Sequence, residues 1–587
     1  MSKKDKDFRL TWQAEAPKHK THKPYKGFKP EFDVKDPEAG TYRSIFKWGA
    51  QDFHKIPKEG LLKLIKERFG MTDEDFKKRL PNDGHEKVEY DIPLKLTAKQ
   101  LSALEAIVGK DNIKTDDYTR LSVAYGKTMF DLLRLRNKIV ENVPDAVLYP
   151  AETEQIEKIV EFCNKERIPV YVYGGGSSVT RGVECVKGGI SLDLRKNFNK
   201  VVKFNKVNQT VTVQAGMMGP ALEEYLNMLP LTDGTKYAYT CGHFPQSYKW
   251  SSVGGWVVTR GAGQNSTYFG KIENIVMHQK YATPIGVIET DSIPAKATGP
   301  DIGQIMMGAE GTFGVLTEVT LRVFRLMEDN QFRFGFMFRT WQDAQAFGRE
   351  VMQCQAGFPS VFRLSDGEET EMMMYNYNLD EMKPVMALLK MKGYELGKMS
   401  LCLGFTDGEK GFCKNVLKNV KKLAKQYGGM SLTGVVTKEW EKGRFTDPYL
   451  RDTVQDFGIM IETLECAMNW DNMNHVWEYV RNYCKSRPNT IVCTHISHAY
   501  PQGANLYFIF IAKMTEMEEF KAYHSGLLQA IHDSGAAMSH HHGIGKMFAP
   551  WLRTSVLGES QHDIIKALRK HFDPNCIMNP GGTLGLD

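Results

Sequence analysis

A glycine-rich segment at residues 174–178, GGGSS, is the part of the chain best suited to hold a phosphate group. Successive glycines carry no Cβ atoms, so a ligand can approach the main chain and neighbouring N–H groups can converge on an anion. The two serines add hydroxyl donors. A lone glycine cluster is also typical of a flexible turn. Because an apolar strand (VLYP), an amphipathic helix and a second strand (IPVYVY) precede it, the sequence favours a dinucleotide site.

This loop differs from the Rossmann fingerprint. In that fingerprint, GxGxxG opens a helix and an acidic residue follows about 20 positions later. Here the residues after the loop, VTRGVECVKGGISLDL, indicate a turn and another strand. The sequence therefore predicts a nucleotide site that is not of the Rossmann type.

Further glycine-rich turns follow along the chain: PQSYKWSSVGGW, TRGAG with YFG, EGTFGV and, near the C-terminus, FDPNCIMNPG. With the first loop, they resemble the FAD-binding domain of the vanillyl-alcohol oxidase family, also called the PCMH-type FAD-binding family. The resemblance implies that FAD is the cofactor and that the turns wrap it. The cofactor-binding residues implied are Val172, Tyr173, Gly174, Gly175, Gly176, Ser177, Ser178, Gln246, Ser247, Tyr248, Lys249, Trp250, Ser251, Thr259, Arg260, Gly261, Ala262, Glu310, Gly311, Thr312, Phe313, Gly314, Val315 and Leu316.

The flanks of the first loop bear on how the flavin is attached. Several members of the family link the flavin covalently through a histidine beside this loop. Here Tyr173 precedes the glycines and residues 179–181, VTR, follow the serines, so neither His nor Cys is in place. We expect non-covalent FAD.

Side chains suited to acid–base chemistry and anion binding lie in the C-terminal half, in SVFRLSD, PYLRDTV, NLYFIF and SHHHGIGK. Guanidinium groups match phosphates, and imidazole titrates near neutral pH. This set resembles the alkyldihydroxyacetonephosphate synthases, a branch of the same family. The resemblance implies catalytic residues Tyr507, His540, His541 and His542 and substrate-binding residues Arg451 and Arg363. Arg451 would hold the phosphate, and His542 is the preferred base. Adjacent histidines of an extended segment alternate in direction, so at most two would share one side.

The reaction implied by that branch belongs to ether-lipid synthesis and has no net redox change. A fatty alcohol replaces the acyl chain of acyl-dihydroxyacetone phosphate. A base removes a proton from the carbon that bears the ester, and the carbon then attacks flavin N5. The adduct expels the fatty acid and accepts the alcohol, with the flavin as electron sink.

Other interpretations stay open at the level of sequence. Arginines are most often exposed surface charges, and Tyr507 fits a half-buried strand. The histidine run is also compatible with a metal site completed by His495 and His498, but no carboxylate spacing supports it, and we expect no metal. A flavin-linked 2-hydroxy-acid dehydrogenase of the D-lactate type shares the fold and a similar HGIG segment. A flavin-binding protein without catalysis and a metal-dependent hydrolase are weaker alternatives.

Composition sets limits on the class of protein. A chain of 587 residues predicts two or three domains, and 42% hydrophobic with 25% charged residues is ordinary for a globular protein. Ten cysteines without a CxxC pair favour reduced thiols inside a cell. Basic residues are not interleaved with aromatic residues, so we expect no nucleic-acid partner. There is no apolar run of membrane-spanning length and no secretory signal.

We predict an α+β fold: a PCMH-type two-part FAD-binding domain plus a cap domain with an antiparallel sheet covered by helices. The predicted divisions are a basic, partly disordered N-terminal arm (1–85), a helical segment (86–140), the FAD-binding domain (141–325), the substrate or cap domain (326–535) and a C-terminal segment that returns to the FAD domain and active site (536–587). The family resemblance implies a homodimer, peripheral membrane contact and a peroxisomal location, although the chain ends in LGLD rather than an SKL-like tripeptide.

Overall fold

The computed structural model describes residues 27–32, 35–377, 379, 381–555 and 558–586. Its helices, in chain order, are α1 Tyr42–Phe46, α2 Glu59–Phe69, α3 Ala98–Val108, α4 Asp117–Ser122, α5 Met129–Arg136, α6 Thr153–Glu166, α7 Gly219–Thr232, α8 Val253–Val258, α9 Ser266–Phe269, α10 Ile272–Ile275, α11 Ile302–Met306, α12 Trp341–Gln353, α13 Gly367–Asn376, α14 Lys383–Met391, α15 Lys410–Gln426, α16 Val435–Glu441, α17 Tyr449–Gln455, α18 Met473–Ser486, α19 Met517–Asp533, α20 Ala549–Leu552 and α21 Gly558–Phe572. Among the described residues, no helix has the length and apolar character needed to cross a membrane.

The strands, in chain order, are β1 Ile113–Lys114, β2 Ala146–Leu148, β3 Val170–Tyr173, β4 Ile190–Asp193, β5 Val201–Asn205, β6 Thr210–Gln214, β7 Tyr239–Thr240, β8 Val276–Thr283, β9 Gly286–Glu289, β10 Val315–Arg322, β11 Phe324–Arg325, β12 Arg333–Phe338, β13 Val361–Ser365, β14 Ser400–Phe405, β15 Met430–Ser431, β16 Ile459–Asn469, β17 Thr490–Ile496 and β18 Gly503–Lys513. They form sheets of order β1-β2-β4-β3, β5-β6-β10-β8-β9, β11-β7 and β15-β12-β14-β13-β17-β18-β16.

The first sheet confirms the strand–helix–strand prediction around the glycine loop. Strands β2, β4 and β3 are parallel, and α6 buries its apolar face, including Ile156 and Ile159, in the core beside them. The loop leaves the carboxyl end of β3, the edge at which parallel sheets bind ligands. The C-terminal segment returns to this strand, because Val170 donates to the Ile577 carbonyl (2.8 Å) and accepts from the Asn579 N–H (2.8 Å).

The second sheet of the FAD-binding part is antiparallel. Strands β5 and β6 form the hairpin predicted for VVKFNKVNQTVTVQAG. β10 pairs with β6 and β8. The turn before β10 contains the EGTFG residues, and Gly311 and Gly314 of that turn line the same cavity as the glycine loop. The two sheets share one core, so the separate glycine-rich turns meet in space.

The cap contains the antiparallel sheet with helices that the sequence predicts. One face is covered by helices such as α12, α18 and α19 in a large apolar core. Alternate residues of β16 and β18 point to the opposite face, where Ile461, Ile509 and Ile511 lie. That second face looks toward the FAD-binding part and forms part of a cavity wall.

From residue 27 onward, the segment predicted as an N-terminal arm is folded onto the cap. α2 packs its apolar face against β16–β18 in a common cluster. Arg43 forms a buried ion pair with Asp456 (2.9 Å), and the Trp48 N–H donates to Asp452 (2.6 Å). The many charged residues at 27–85 gave no sign of this packing. Arg43 can be buried because it pairs with Asp456, and that partner lies more than 400 residues away in the sequence. Residues 1–26 of the predicted arm lie outside the described residues, so the disorder expected of the arm is not tested there.

Candidate active site

A cavity of about 690 Å³ lies between the glycine-rich turns, the second face of the cap sheet and the N-terminal segment. It collects most of the residues that the sequence singled out. The predicted residues that line it are Val172, Gly174, Gly175, Gly176, Ser177, Ser178, Gln246, Ser247, Ser251, Thr259, Gly261, Ala262, Glu310, Gly311, Gly314, Leu316, Arg363, Arg451, Tyr507, His541 and His542.

Other predicted residues do not line the cavity, and packing explains their positions. Tyr248 and Phe313 are buried in the FAD-domain core, and Arg260 bonds to Gln304. The sequence motif includes these residues because they shape the turns that carry the lining residues. The predicted residues outside the cavity wall, among the described residues, are Tyr173, Tyr248, Lys249, Trp250, Arg260, Thr312, Phe313, Val315 and His540.

The glycine loop is packed so closely that side chains are excluded. A Cβ atom on Gly174 would meet the Ser252 hydroxyl at 2.3 Å, and one on Gly175 would meet the Trp250 carbonyl at 2.1 Å. Gly176 has a φ of 69°, in the left-handed region that favours glycine. The loop therefore presents bare backbone to the cavity, as a pyrophosphate requires.

The pairing register of the cap sheet places His495, Tyr507 and Glu465 next to one another on adjacent strands. Across β13, β17, β18 and β16, Ser365 pairs with His495, His495 with Tyr507, and Tyr507 with Glu465. Because paired residues point to the same face, His495, Tyr507 and Glu465 lie side by side on the sheet face that is turned toward the cavity, and His495 and Tyr507 line it. Arg363 lies two residues before Ser365 and so shares this face.

Arg363 is held by an acid and a histidine. Its Nη2 donates to Glu369, and the same nitrogen lies 2.9 Å from Nδ1 of His495, which is itself 3.0 Å from the other Glu369 oxygen. Burial acts to raise the pKa of Glu369, but His495 and Arg363 outweigh it and lower that pKa to about 2. Glu369 therefore stays ionised and fixes the guanidinium at the cavity wall.

Tyr507 lies between two imidazoles. Its ring stacks on His495 (centroids 4.8 Å apart) and on His541 (6.1 Å), and meets His542 edge-on (5.5 Å). Burial raises the pKa of its hydroxyl group. The phenol therefore stays protonated near neutral pH, in the form that can donate to an oxygen atom.

The histidine segment differs from the predicted extended form. Residues 540–542 bend, so that the sequence neighbours His541 and His542 both line the cavity. His540 turns away and its Nε2 lies 2.9 Å from the Tyr500 hydroxyl. Burial lowers the pKa of all three imidazoles, which favours the neutral, proton-accepting form.

Ring nitrogens of His498, His540 and His541 lie within 4.8 Å of one another, a spacing that could hold a metal ion. The expectation that no metal binds there stays a prediction.

Arg451 is also part of the wall, although most of its donors are engaged. Its guanidinium bonds to Asp452 (2.9 Å) and to the carbonyl oxygens of Lys127 (2.5 Å) and Phe46 (3.3 Å). Lys127 lines the cavity beside it, and burial, aided by the charge of Arg451, lowers the pKa of that lysine to about 7. The arginine predicted to hold the phosphate thus has a lysine beside it on the cavity wall that the sequence did not reveal.

Several other cavity residues escaped the sequence analysis. His243 and Gln264 are polar groups of the wall; both His243 nitrogens and Gln264 Oε1 are buried without a hydrogen-bond partner among the described residues. Burial lowers the pKa of His243 to about 3 and raises that of Glu462, also on the wall, to about 7. The two glutamates of the otherwise apolar strand IMIETLECAM could have indicated a functional site, because carboxylates are rarely buried unless they are paired.

The residues present fit a flavin. A side-chain-free glycine loop suits the pyrophosphate, while the unpartnered polar atoms of His243 and Gln264 suit a planar ring with its own donors and acceptors. The glycine-rich turns supply backbone N–H groups around the same cavity.

Two family models match the chain. One is the FAD binding domain, over residues 144–292, and the other is the C-terminal domain of FAD linked oxidases, over residues 331–583. These two matches span the FAD-binding part and the cap. The protein is an FAD-dependent enzyme with a PCMH-type FAD-binding fold.

Individual proteins are similar to this chain over most of its length. The alkyldihydroxyacetonephosphate synthase of Dictyostelium discoideum is 27% identical over 84% of this chain and 82% of its own length. The enzyme of that name from Trypanosoma brucei brucei is 28% identical over 90% of this chain and 87% of its own. A solved structure of an alkyldihydroxyacetonephosphate synthase superimposes with a TM-score of 0.74 over 90% of this chain and 92% of that one, at 23% identity, which shows the shared fold.

Proposed function

We propose that this FAD-dependent enzyme is an alkyldihydroxyacetonephosphate synthase. It would exchange the acyl chain of acyl-dihydroxyacetone phosphate for a fatty alcohol. The observation that carries the proposal is a single cavity that joins the flavin loops, two arginines, a protonated tyrosine, neutral histidines and an apolar wall. The names of the relatives support the same reaction.

The exchange balances without an external oxidant or reductant. The carbon–oxygen bond to the fatty acid breaks, and a carbon–oxygen bond to the alcohol forms. The carbon that bears the ester loses one proton and later regains one, and the alcohol proton is released. FAD, when bound, supplies the electron sink for that carbon.

The protein's own groups fit the remaining tasks. His542, neutral because burial lowers its pKa, is the base that takes the proton from carbon. Tyr507, protonated because burial raises its pKa, donates to the departing carboxylate oxygen. Arg451 and Lys127 provide positive charge for the phosphate on one wall. Arg363, fixed by Glu369, contacts the polar end of the substrate from the other side.

An apolar part of the cavity suits the long chains of both substrates. It lies between α2 and the second face of the cap sheet, and it extends the polar site rather than forming a separate pocket. Met372 and Met373, from the Met-rich run noted in the sequence, belong to the lining, and methionine adapts to flexible apolar ligands. The apolar residues that line this part of the cavity include Leu61, Met372, Met373, Leu450, Ile461, Ile509 and Ile511.

Further properties are proposed from the family resemblance. They are non-covalent FAD, a homodimer, peripheral membrane contact and a peroxisomal location. The absence of His and Cys beside the glycine loop supports the first of these.

The proposal is tested by incubating purified holoenzyme with palmitoyl-dihydroxyacetone phosphate and labelled hexadecanol, without an electron acceptor. We expect labelled ether product, one released palmitate per ether and fully oxidised flavin at the end. His542→Ala should abolish product formation. His532→Ala should not, because His532 is a half-buried histidine of α19 outside the cavity.

A protein whose flavin is reduced by D-lactate, and which makes no ether, would contradict the proposal. It would then be the D-lactate type dehydrogenase of the alternative interpretation, which needs an electron acceptor for turnover.

A further inference from the structure

The loop that carries the histidines is hydrogen-bonded to one buried carboxylate, that of Glu465 on β16. Oε1 of Glu465 accepts from the Ser539 hydroxyl (2.6 Å), the His541 N–H (3.1 Å) and the His542 N–H (3.0 Å). Its Oε2 accepts from the His540 N–H (2.7 Å). Donors from consecutive residues of one loop therefore converge on one side chain.

Glu465 satisfies backbone N–H groups that the bend in the loop leaves without partners of their own. Residues 540–542 have no strand pairing, so their buried N–H groups need acceptors from elsewhere. A carboxylate offers several lone pairs, and hydrogen bonds to a charged acceptor are about twice as strong as neutral ones. A glutamine has one acceptor oxygen, and its NH₂ group would face the same N–H donors without bonding to them.

The position of Glu465 also relates the loop to the rest of the site. It pairs directly with Tyr507 across β16 and β18. The same residue therefore contacts the loop by hydrogen bonds and is held beside Tyr507 by the sheet. From the FAD-binding part, Glu310 holds the next turn, since its carboxylate accepts from the N–H groups of Ile544 (2.7 Å) and Gly545 (2.8 Å).

We propose that Glu465 is a positioning residue. It fixes the backbone of residues 539–542 so that the rings of His541 and His542 contact the Tyr507 ring at the cavity wall. The role in turnover rests on the proposed function, but the role in holding the loop does not.

The test compares Glu465→Gln with wild-type holoenzyme by steady-state kinetics and by hydrogen exchange with mass spectrometry. A misplacement of about 1 Å at a reacting group costs about 100-fold in rate. We therefore expect kcat to fall about 100-fold, KM for acyl-dihydroxyacetone phosphate to stay within about threefold, and the flavin content to be unchanged. The amides of residues 540–542 should exchange faster, while those of the cap helices keep their protection.

Asp145→Asn is the matched control. Asp145 is a buried carboxylate that accepts backbone N–H groups of Lys95 (2.8 Å) and Gly189 (3.0 Å) and does not line the cavity. It should leave kcat and the exchange of the histidine loop as in wild type. Equal losses in both variants would overturn the proposal in favour of general destabilisation.

Other outcomes are equally decisive. A Glu465→Gln enzyme that keeps kcat within about threefold, raises only KM, or keeps the loop amides protected would overturn the proposal. If that variant does not fold, Ser539→Ala removes one donor to Glu465 and an acceptor of the His542 N–H (3.1 Å). We expect it to lower kcat about tenfold and to speed exchange at His542; no change in either would overturn the proposal. If wild type makes no ether, the proposed function fails, and the exchange data alone decide whether Glu465 holds the backbone of residues 539–542.

Discussion

Replacement of Gly175 by alanine is expected to weaken FAD binding. The glycine loop packs against the chain at Trp250 and Ser251 with no room for a side chain. A Cβ atom on Gly175 lies 2.1 Å from the Trp250 carbonyl oxygen and 2.6 Å from the Ser251 Cα, whereas ordinary contacts begin at 3.4 Å. The two backbone segments must therefore separate by roughly 1 Å, because closely packed interiors leave no spare volume.

The size of the effect follows from the kind of clash. Both opposing atoms belong to the backbone, so no side-chain rotation relieves the overlap. Overpacking of this kind costs about 1–3 kcal/mol. Since 1.4 kcal/mol corresponds to a tenfold change in an equilibrium constant, we expect the Kd for FAD to rise by about 5- to 150-fold.

The assay is titration of the apoprotein with FAD, followed by the quenching of flavin fluorescence. Gly443→Ala is the control, because Gly443 lines the same cavity but its Cβ would have neighbours only at 3.7 and 3.8 Å. That variant should bind FAD within about twofold of wild type. The reasoning is refuted if Gly175→Ala binds FAD as tightly as the control, or if both variants lose affinity equally.

Two further predictions concern pH and the arginine. Burial lowers the pKa of His524 from 6.5 to about 4, so below pH 6.5 the unfolded chain binds a proton that the native state does not. Stability should fall from pH 6.5 to 4, by about 3 kcal/mol for this residue; His524→Gln should flatten that fall in urea-denaturation midpoints, and equal slopes would contradict the assignment. Arg363→Lys should lower kcat/KM for the ether-forming reaction about 10- to 100-fold with normal FAD content, because an ammonium does not reproduce the guanidinium contacts. Arg333→Lys, at an ion pair outside the cavity, should have little effect, and equal losses would contradict this role.

Much of the fold and part of the site could be predicted from the sequence, because the relevant patterns are local. The strand, helix and strand before the glycine loop follow from periodicity within about 30 residues. The hairpin of β5 and β6 likewise depends on alternation and a short turn. The FAD assignment was implied by the family resemblance that the glycine-rich motifs carry, and each motif is local because its turn needs a particular backbone conformation.

The tertiary structure decided how distant groups meet. The row of His495, Tyr507 and Glu465 depends on strand register across β17, β18 and β16, and no local pattern fixes that register. The N-terminal segment from residue 27 packs beside the cavity through buried ion pairs such as Arg43–Asp456. Because the partners are far apart in the sequence, no local pattern predicts this packing.

The histidine loop shows the division between sequence and structure most directly. The residue types in SHHHGIGK indicated acid–base chemistry, and the family resemblance named the histidines. Their directions were wrongly predicted from extended geometry, because the bend at residues 540–542 is set by Glu465, which lies 75 residues earlier. A side chain that supplies hydrogen bonds across such a distance acts only once the sheet has placed it, so its effect is a property of the folded protein.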